Sequence, residues 1–181
     1  ASNSPRRREL LAGLDIDYRV TALPEVDESY PDTLSGEEIP LYISQEKAAA
    51  YRRFMKDNTL LITADTIVWL DGKVYGKPRD IADAKAMLQA LSGKTHTVIT
   101  GVTLTSLQKQ ISFAVSTEVT FATLGDDEID YYVEKYRPLD KAGAYGVQEW
   151  IGYIGVTGLK GSYYNVMGLP IQRLYTELKK F

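Results

Sequence analysis

The sequence has no cysteine and a single histidine, His96. Without thiols there can be no disulfide, no zinc–thiolate centre and no thiol nucleophile, and the chain suits a reducing, cytoplasmic compartment. With one imidazole, a serine–histidine triad or a histidine-rich metal site has no material. His96 opens a predicted strand, so a structural role is the expectation. No apolar run approaches membrane-spanning length, and the opening residues lack the pattern of a signal peptide, so no membrane association is expected. Charge of one sign is scarce too: 21 Lys and Arg stand against 24 Asp and Glu, a net of −3. Nothing global draws the chain to nucleic acid, and any polyanionic ligand must be held by a local cluster.

What is present reads as one domain, or one domain cleft into two lobes, since 181 residues suffice for a proper core. Ser4-Pro5 is a helix entry, with Ser4 as N-cap and an apolar stripe of Leu10, Leu11 and Leu14. Because the chain opens at Ala1 directly before that signal, an apolar strand upstream is expected. From Val20 to Pro40 an acidic stretch reads as a short strand and then loop, carrying Glu25, Asp27 and Glu28. A second helix follows to about Phe54, with Lys47 beside Ala48, Ala49 and Ala50. Leu60–Leu70 is β-rich, and Asp71-Gly72 signals a hairpin to Lys73–Tyr75. Asp80 caps a helix to Leu91, strands cover His96–Leu104 and Ile111–Thr123, and Asp126 begins a helix to Tyr136. A glycine-studded loop precedes a predicted strand around Trp150–Val156, and Pro170 opens a closing helix. Helices and strands mix without a regular βαβ repeat, which favours a mixed-sheet α/β domain over a Rossmann or barrel fold.

Chemistry is suggested first by Arg6, Arg7 and Arg8 in the opening turn of a helix, at the positive end of its dipole. A capping Ser4, free amides and guanidinium forks there make a phosphate site; the plainer reading is a set of solvated arginines. Asp65 interrupts the run Leu60, Leu61, Ile62, Ala64, Ile67, Val68. A carboxylate in such a strand must be paired, metal-bound or protonated. It reads as a functional acid, against a structural aspartate at a bulge. Lys47 and Lys77 would help neutralise a triphosphate, though either alone reads as a surface lysine. An acid of the early loop would supply a second oxygen ligand for Mg²⁺. The loop Asp140–Gln148 opens with charges, including Lys141, and closes on Gln148, whose amide offers the donor and acceptor needed to read a base edge. Gly93-Lys94-Thr95 imitates the tail of a P-loop, but it ends a helix and has Leu88 where a glycine should stand.

The ordered set Ala1–Arg7, Ala64-Asp65-Thr66, Gly76-Lys77-Pro78, Leu91-Ser92-Gly93, Thr100-Gly101-Val102, Asp140–Gln148, Gly161-Ser162-Tyr163 and Gly168-Leu169-Pro170 resembles the Maf proteins, also described as septum-formation inhibitors and nucleoside triphosphate pyrophosphatases. The resemblance spans nearly the whole chain. It implies a single two-lobed α/β domain, residues 1–181, around an elongated mixed sheet with flanking helices and a central cleft, in the Maf/ITPase-like manner. It implies, too, a homodimer that hydrolyses nucleoside triphosphates to monophosphate and pyrophosphate with Mg²⁺ or Mn²⁺. By position, Asp65, Glu28 and Lys77 match catalytic residues, Asp65 as proton acceptor and Asp65 with Glu28 as metal ligands, Asp27 being the alternative to Glu28. Ser4, Arg6, Arg7, Lys47, Thr66, Lys141 and Gln148 match the substrate site, and Arg6, Thr66 and Gln148 stand where the family sorts substrates. The Ser4-Pro5-Arg6-Arg7, Ala64-Asp65-Thr66 and Gly146-Val147-Gln148 forms resemble the branch acting on dTTP and UTP. Competing readings are a nucleotide-binding regulator of cell division and a phosphatase releasing inorganic phosphate.

Overall fold

The computed structural model describes residues 1–22 and 25–181 of the chain. Their elements are α1 (Pro5–Ala12), α2 (Glu38–Arg52), β1 (Leu61–Leu70), β2 (Lys73–Tyr75), α3 (Ile81–Leu91), β3 (Thr95–Thr105), β4 (Gln110–Phe121), α4 (Asp126–Tyr136), α5 (Trp150–Gly155), β5 (Val156–Lys160), α6 (Tyr163–Met167) and α7 (Ile171–Lys180), with one turn of 3₁₀ helix at Ala142–Ala144. The result is an α/β fold with one five-stranded sheet in the order β2-β1-β3-β4-β5. Two compact units divide the chain. One holds Ala1–Thr66, Ile99–Val115 and Gly168–Phe181, and the other Ile67–Val98 and Ser116–Met167. Strands β1, β3 and β4 therefore contribute residues to both.

In the first unit, Ser4 caps α1 by accepting from the Arg7 N–H at 3.4 Å, and Pro5 takes the first helical position. The helix stops at Ala12, earlier than the leucine spacing suggests: Leu10 is buried, but Leu14 lies beyond the helix. Val20–Ala22 form no strand, contrary to expectation, and Leu23 and Pro24 of that stretch lie outside the described residues. Helix α2 buries Ile39, Ile43, Ser44, Lys47 and Ala48, a stripe at helical spacing that carries Lys47 inward with the apolar residues. Its start rests directly on Gly101 of β3, where a Cβ would overlap the backbone of Pro40 and Leu41. Strand β1 is buried on both faces, so Asp65 lies in an interior strand as its apolar neighbours imply.

In the second unit, Asp71 and Gly72, with φ of 52° and 74°, turn β1 back into β2 with Leu70 opposite Lys73. The core gathers Leu88 and Leu91 of α3, Ile129, Tyr132 and Val133 of α4, Val119 and Phe121 of β4, and Ile151. The alternation in β4 appears in its burial, with Phe113, Thr117, Val119 and Phe121 inward. One element differs from the reading above. Residues Trp150–Gly155 are helical, and the strand, β5, follows and pairs antiparallel with β4. The Gly152 N–H donates to the Glu149 carbonyl at 2.9 Å, and the Gly152 α-carbon lies so near the Val147 carbonyl that a Cβ would overlap it. A short run of Trp, Ile and Tyr carries no signal that separates a buried helix turn from a strand, and packing decides.

Candidate active site

The first unit brings together most of the residues singled out above. Lys47, almost wholly buried, places its Nζ 2.9 Å from Asp65 Oδ1, 3.0 Å from Glu28 Oε1 and 3.4 Å from the Ala64 carbonyl. A buried ammonium requires such a carboxylate cage, and the helical stripe that turns Lys47 inward makes the pairing obligatory. Glu28, nearly half exposed, thereby joins the early loop to the middle of β1. The neighbouring acid behaves differently. Asp27 accepts from the Ser29 N–H and from the Ser29 hydroxyl, both at 2.9 Å, and these two bonds, the backbone one foremost, hold its carboxyl below the usual range. Of the two candidate acids, Glu28 is the one at Lys47.

Arg7 faces the same group. Its Nε donates to the Gly168 carbonyl at 2.8 Å and its Nη2 to Thr66 Oγ1 at 3.0 Å. Desolvation is the main influence on this guanidinium and lowers its pKa; the negative charge of Asp65 opposes that shift, Arg6 adds to it, and Glu28 opposes it. Asp65 and Glu28 are thus electrostatic neighbours of Arg7 as well as partners of Lys47. Thr66 touches Thr100 Oγ1 at 2.8 Å and the Gly168 carbonyl at 3.4 Å. Neither Thr100 nor Gly168 was assigned chemistry from the sequence, although both belong to segments of the resemblance. A threonine and a main-chain carbonyl carry no distinctive signal until the fold sets them beside a guanidinium.

The second unit holds Lys77, Lys141 and Gln148. Lys77 is exposed, one residue beyond Gly76. The Gly76 carbonyl accepts from the Gly143 N–H at 3.1 Å, which ties the Lys77 segment to the glycine loop. Gly143 has φ of 70° and lies so near Val68 that a Cβ would come within 2.7 Å of its Cγ2. Lys141 is mostly buried between Asp140 at 3.1 Å and Glu149 at 3.7 Å. Tyr132 accepts from the Gly146 N–H and donates to Glu149, and Tyr145 meets His96 Nε2 at 2.6 Å, so the loop is pinned on both sides of Gly146. Gln148 follows two residues after Gly146, and its Oε1 is buried without a hydrogen-bond partner among the described residues. Such an acceptor calls for a donor.

For a divalent cation, the relevant donors are the carboxylates of Asp65 and Glu28. They are hard oxygen ligands, and no described group of three or more His, Cys, Asp or Glu is placed to hold a metal by protein alone. Two carboxylates completed by water and phosphate oxygens fit Mg²⁺ or Mn²⁺, which bind in that manner and dispense with an all-protein cage.

A family model described as Maf-like protein matches residues 1–181. The chain is similar to a dTTP/UTP pyrophosphatase of Phocaeicola vulgatus, 68% identical over 180 residues that cover 99% of this chain and 93% of the relative. It is 64% identical to a dTTP/UTP pyrophosphatase of Bacteroides thetaiotaomicron over 180 residues, again 99% and 93%. A dTTP/UTP pyrophosphatase of Flavobacterium psychrophilum is 48% identical over 178 residues, 98% of this chain and 91% of the relative.

Proposed function

Because the chain belongs to the family of Maf-like proteins, we propose that it is a nucleoside triphosphate hydrolase acting on dTTP and UTP and releasing the monophosphate and pyrophosphate. The observation that carries this reading is the pair of carboxylates on one buried ammonium beside Arg7. Nucleotide binding alone has no need of an acid in an interior strand next to cations; hydrolysis does.

Asp65, held by Lys47 at 2.9 Å, takes a proton from water as the water oxygen bonds to the α-phosphorus and the bond to pyrophosphate breaks. Arg7, oriented by two hydrogen bonds, neutralises phosphate charge, with Arg6 and the exposed Lys77 as further cations. A divalent cation held by Asp65 and Glu28 would screen the triphosphate and polarise its oxygens when bound. Ser4 contributes as the cap that shapes the α1 entrance, and Lys141 steadies the loop that carries Gln148. Arg6 and Gln148 set base choice, a role for which the unsatisfied Gln148 Oε1 is suited. Acting on free nucleotides, including modified pyrimidine nucleotides, such an enzyme limits its substrates in the pool. A homodimer and a place in cell-division arrest belong to the same proposal; the exposed Tyr153, Tyr163 and Tyr164 offer apolar surface for the former.

The test is chromatography of the products from a panel of nucleoside triphosphates, with divalent cation and with chelator. Monophosphate plus pyrophosphate, dependent on metal and strongest for dTTP and UTP, is expected. Inorganic phosphate would make the protein a phosphatase, and tight binding without products a nucleotide-sensing regulator.

A further inference from the structure

We infer that Tyr132 is a positioning residue for base choice: its hydroxyl, with the Glu149 carboxylate as acceptor, ties together the two ends of the turn that presents Gln148. The inference rests on the reading of Gln148 as a group that meets the base.

Gln148 occupies a tight turn. The Glu149 N–H donates to the Gly146 carbonyl at 3.0 Å, which leaves Val147 and Gln148 at the centre of a four-residue reversal. A second tie reaches the same two end residues from outside the loop. Tyr132 of α4 accepts from the Gly146 N–H at 3.0 Å and donates to Glu149 Oε1 at 2.7 Å. Chemistry fixes both directions: an N–H can only donate, so the single proton of the phenol is left for the carboxylate. Burial foremost, then the hydrogen bond to Glu149, pushes that phenol well above its ordinary pKa, so the proton stays in place at neutral pH.

Packing alone does not call for the hydroxyl. Tyr132 is fully buried and stacked on Tyr136 with ring centroids 5.2 Å apart, and a phenylalanine ring would fill the same space without a polar group to satisfy. What the hydroxyl adds is the cross-tie. Gly146 makes room for it, because a Cβ there would stand 2.5 Å from Glu149 Oε1 and would displace the carboxylate from the turn. Lys141 Nζ lies 3.7 Å from the same oxygen. A recognition group discriminates only when it is held to within about 0.5 Å of its productive position. Among the described residues Gln148 Oε1 has no partner that could hold it, so the constraint must come through the backbone of its turn.

Base choice is read as a ratio between UTP and CTP, taken in two ways on the intact protein at fixed Mg²⁺: kcat/KM for the nucleotides, and calorimetric affinity for their α,β-methylene analogues, which resist cleavage. Tyr132→Phe keeps the ring and removes the tie. It should shift both ratios by about threefold or more, in the direction of Gln148→Ala. In the Gln148→Ala background it should add nothing, the double variant staying within about twofold of Gln148→Ala alone. A tyrosine that served only the core would affect both nucleotides alike, and would do so in either background. Unchanged ratios in folded Tyr132→Phe, beside a Gln148→Ala that changes them, would overturn the inference, as would effects of the two variants that multiply. Should Tyr132→Phe fail to fold, Glu149→Ala, which removes the acceptor from a side chain 20% exposed, decides by the same two ratios. Unaltered ratios in Gln148→Ala itself refute the reading of Gln148 and the inference with it. A wild type that binds the analogues but makes no product refutes catalysis and leaves the affinity ratios to decide, whereas one that binds neither analogue refutes both.

Discussion

Lys47 Nζ lies 2.9 Å from Asp65 Oδ1, so a helix and the middle of an interior strand meet through one ion pair that is almost entirely out of water. Glu28 closes on the same ammonium at 3.0 Å. The cation is more than a neutraliser: it fixes the position of the acid proposed to handle the proton.

Replacing Asp65 with Asn retains the strand and a hydrogen-bonding partner for Lys47 but removes the base. Pyrophosphate release should fall by about 10²- to 10⁴-fold with little change in melting temperature; near-normal turnover would remove Asp65 from the reaction. Lys47→Met acts on the fold instead, because it leaves a buried carboxylate without its cation, at a cost of about 3–5 kcal/mol. Urea denaturation should show part of that loss recovered in the Lys47→Met, Asp65→Asn double variant, since neither buried charge remains.

Base choice is expected to lie with Arg6 and Gln148. Gln148→Ala should alter the kcat/KM ratio of UTP to CTP by about tenfold or more, because a buried amide acceptor of this kind discriminates by leaving the wrong partner unpaired. Arg6→Lys should change the same ratio. A uniform drop across all nucleotides in both variants would assign them to the phosphate cradle.

His96 gives the protein an acid-sensitive point. It is buried, and that desolvation lowers its pKa to about 4 from an ordinary 6.5. The folded state therefore holds a neutral ring while the unfolded chain takes up a proton below about pH 6.5. The associated stability is complete above that pH and is lost as pH falls toward 4, about 3 kcal/mol in all. Melting temperatures of the wild type and His96→Asn, measured from pH 7.5 to 4, should diverge at neutral pH and converge in acid. Parallel curves would show that the imidazole stays uncharged in the unfolded chain too, or charges without cost.

Gly101→Ala tests how Lys47 is seated. A methyl group there overlaps the backbone of Pro40 and Leu41, so α2 must lift from β3. A stability loss of about 1–3 kcal/mol is expected, accompanied by a larger loss of activity than this destabilisation alone would cause at assay temperature, because Lys47 moves with α2. Unaltered turnover in a destabilised Gly101→Ala would show that α2 adjusts without carrying Lys47 along.

Much of this was legible beforehand where chemistry and pattern coincide. Asp65 stood out because a carboxylate among aliphatic residues needs a partner, and Lys47 because it lies beside Ala48, Ala49 and Ala50 on a helix face small enough to pack close to the sheet. The choice between Asp27 and Glu28 was not legible, since adjacent acids in a loop have no periodicity to orient them. The helix Trp150–Gly155 was misread for a related reason: its apolar residues suit either state, and only the seat of Gly152 on the Val147 carbonyl selects one.

By itself the sequence determined the α/β class, the capped arginine helix, the hairpin at Asp71-Gly72 and the type of residues available for phosphate chemistry, all of which follow from local rules of capping, turn geometry and burial. Tertiary structure alone decided which acid reaches Lys47, and that Thr66 and the Gly168 carbonyl accept from Arg7. Those outcomes depend on distances between segments far apart in the chain, across which neither propensity nor periodicity carries information.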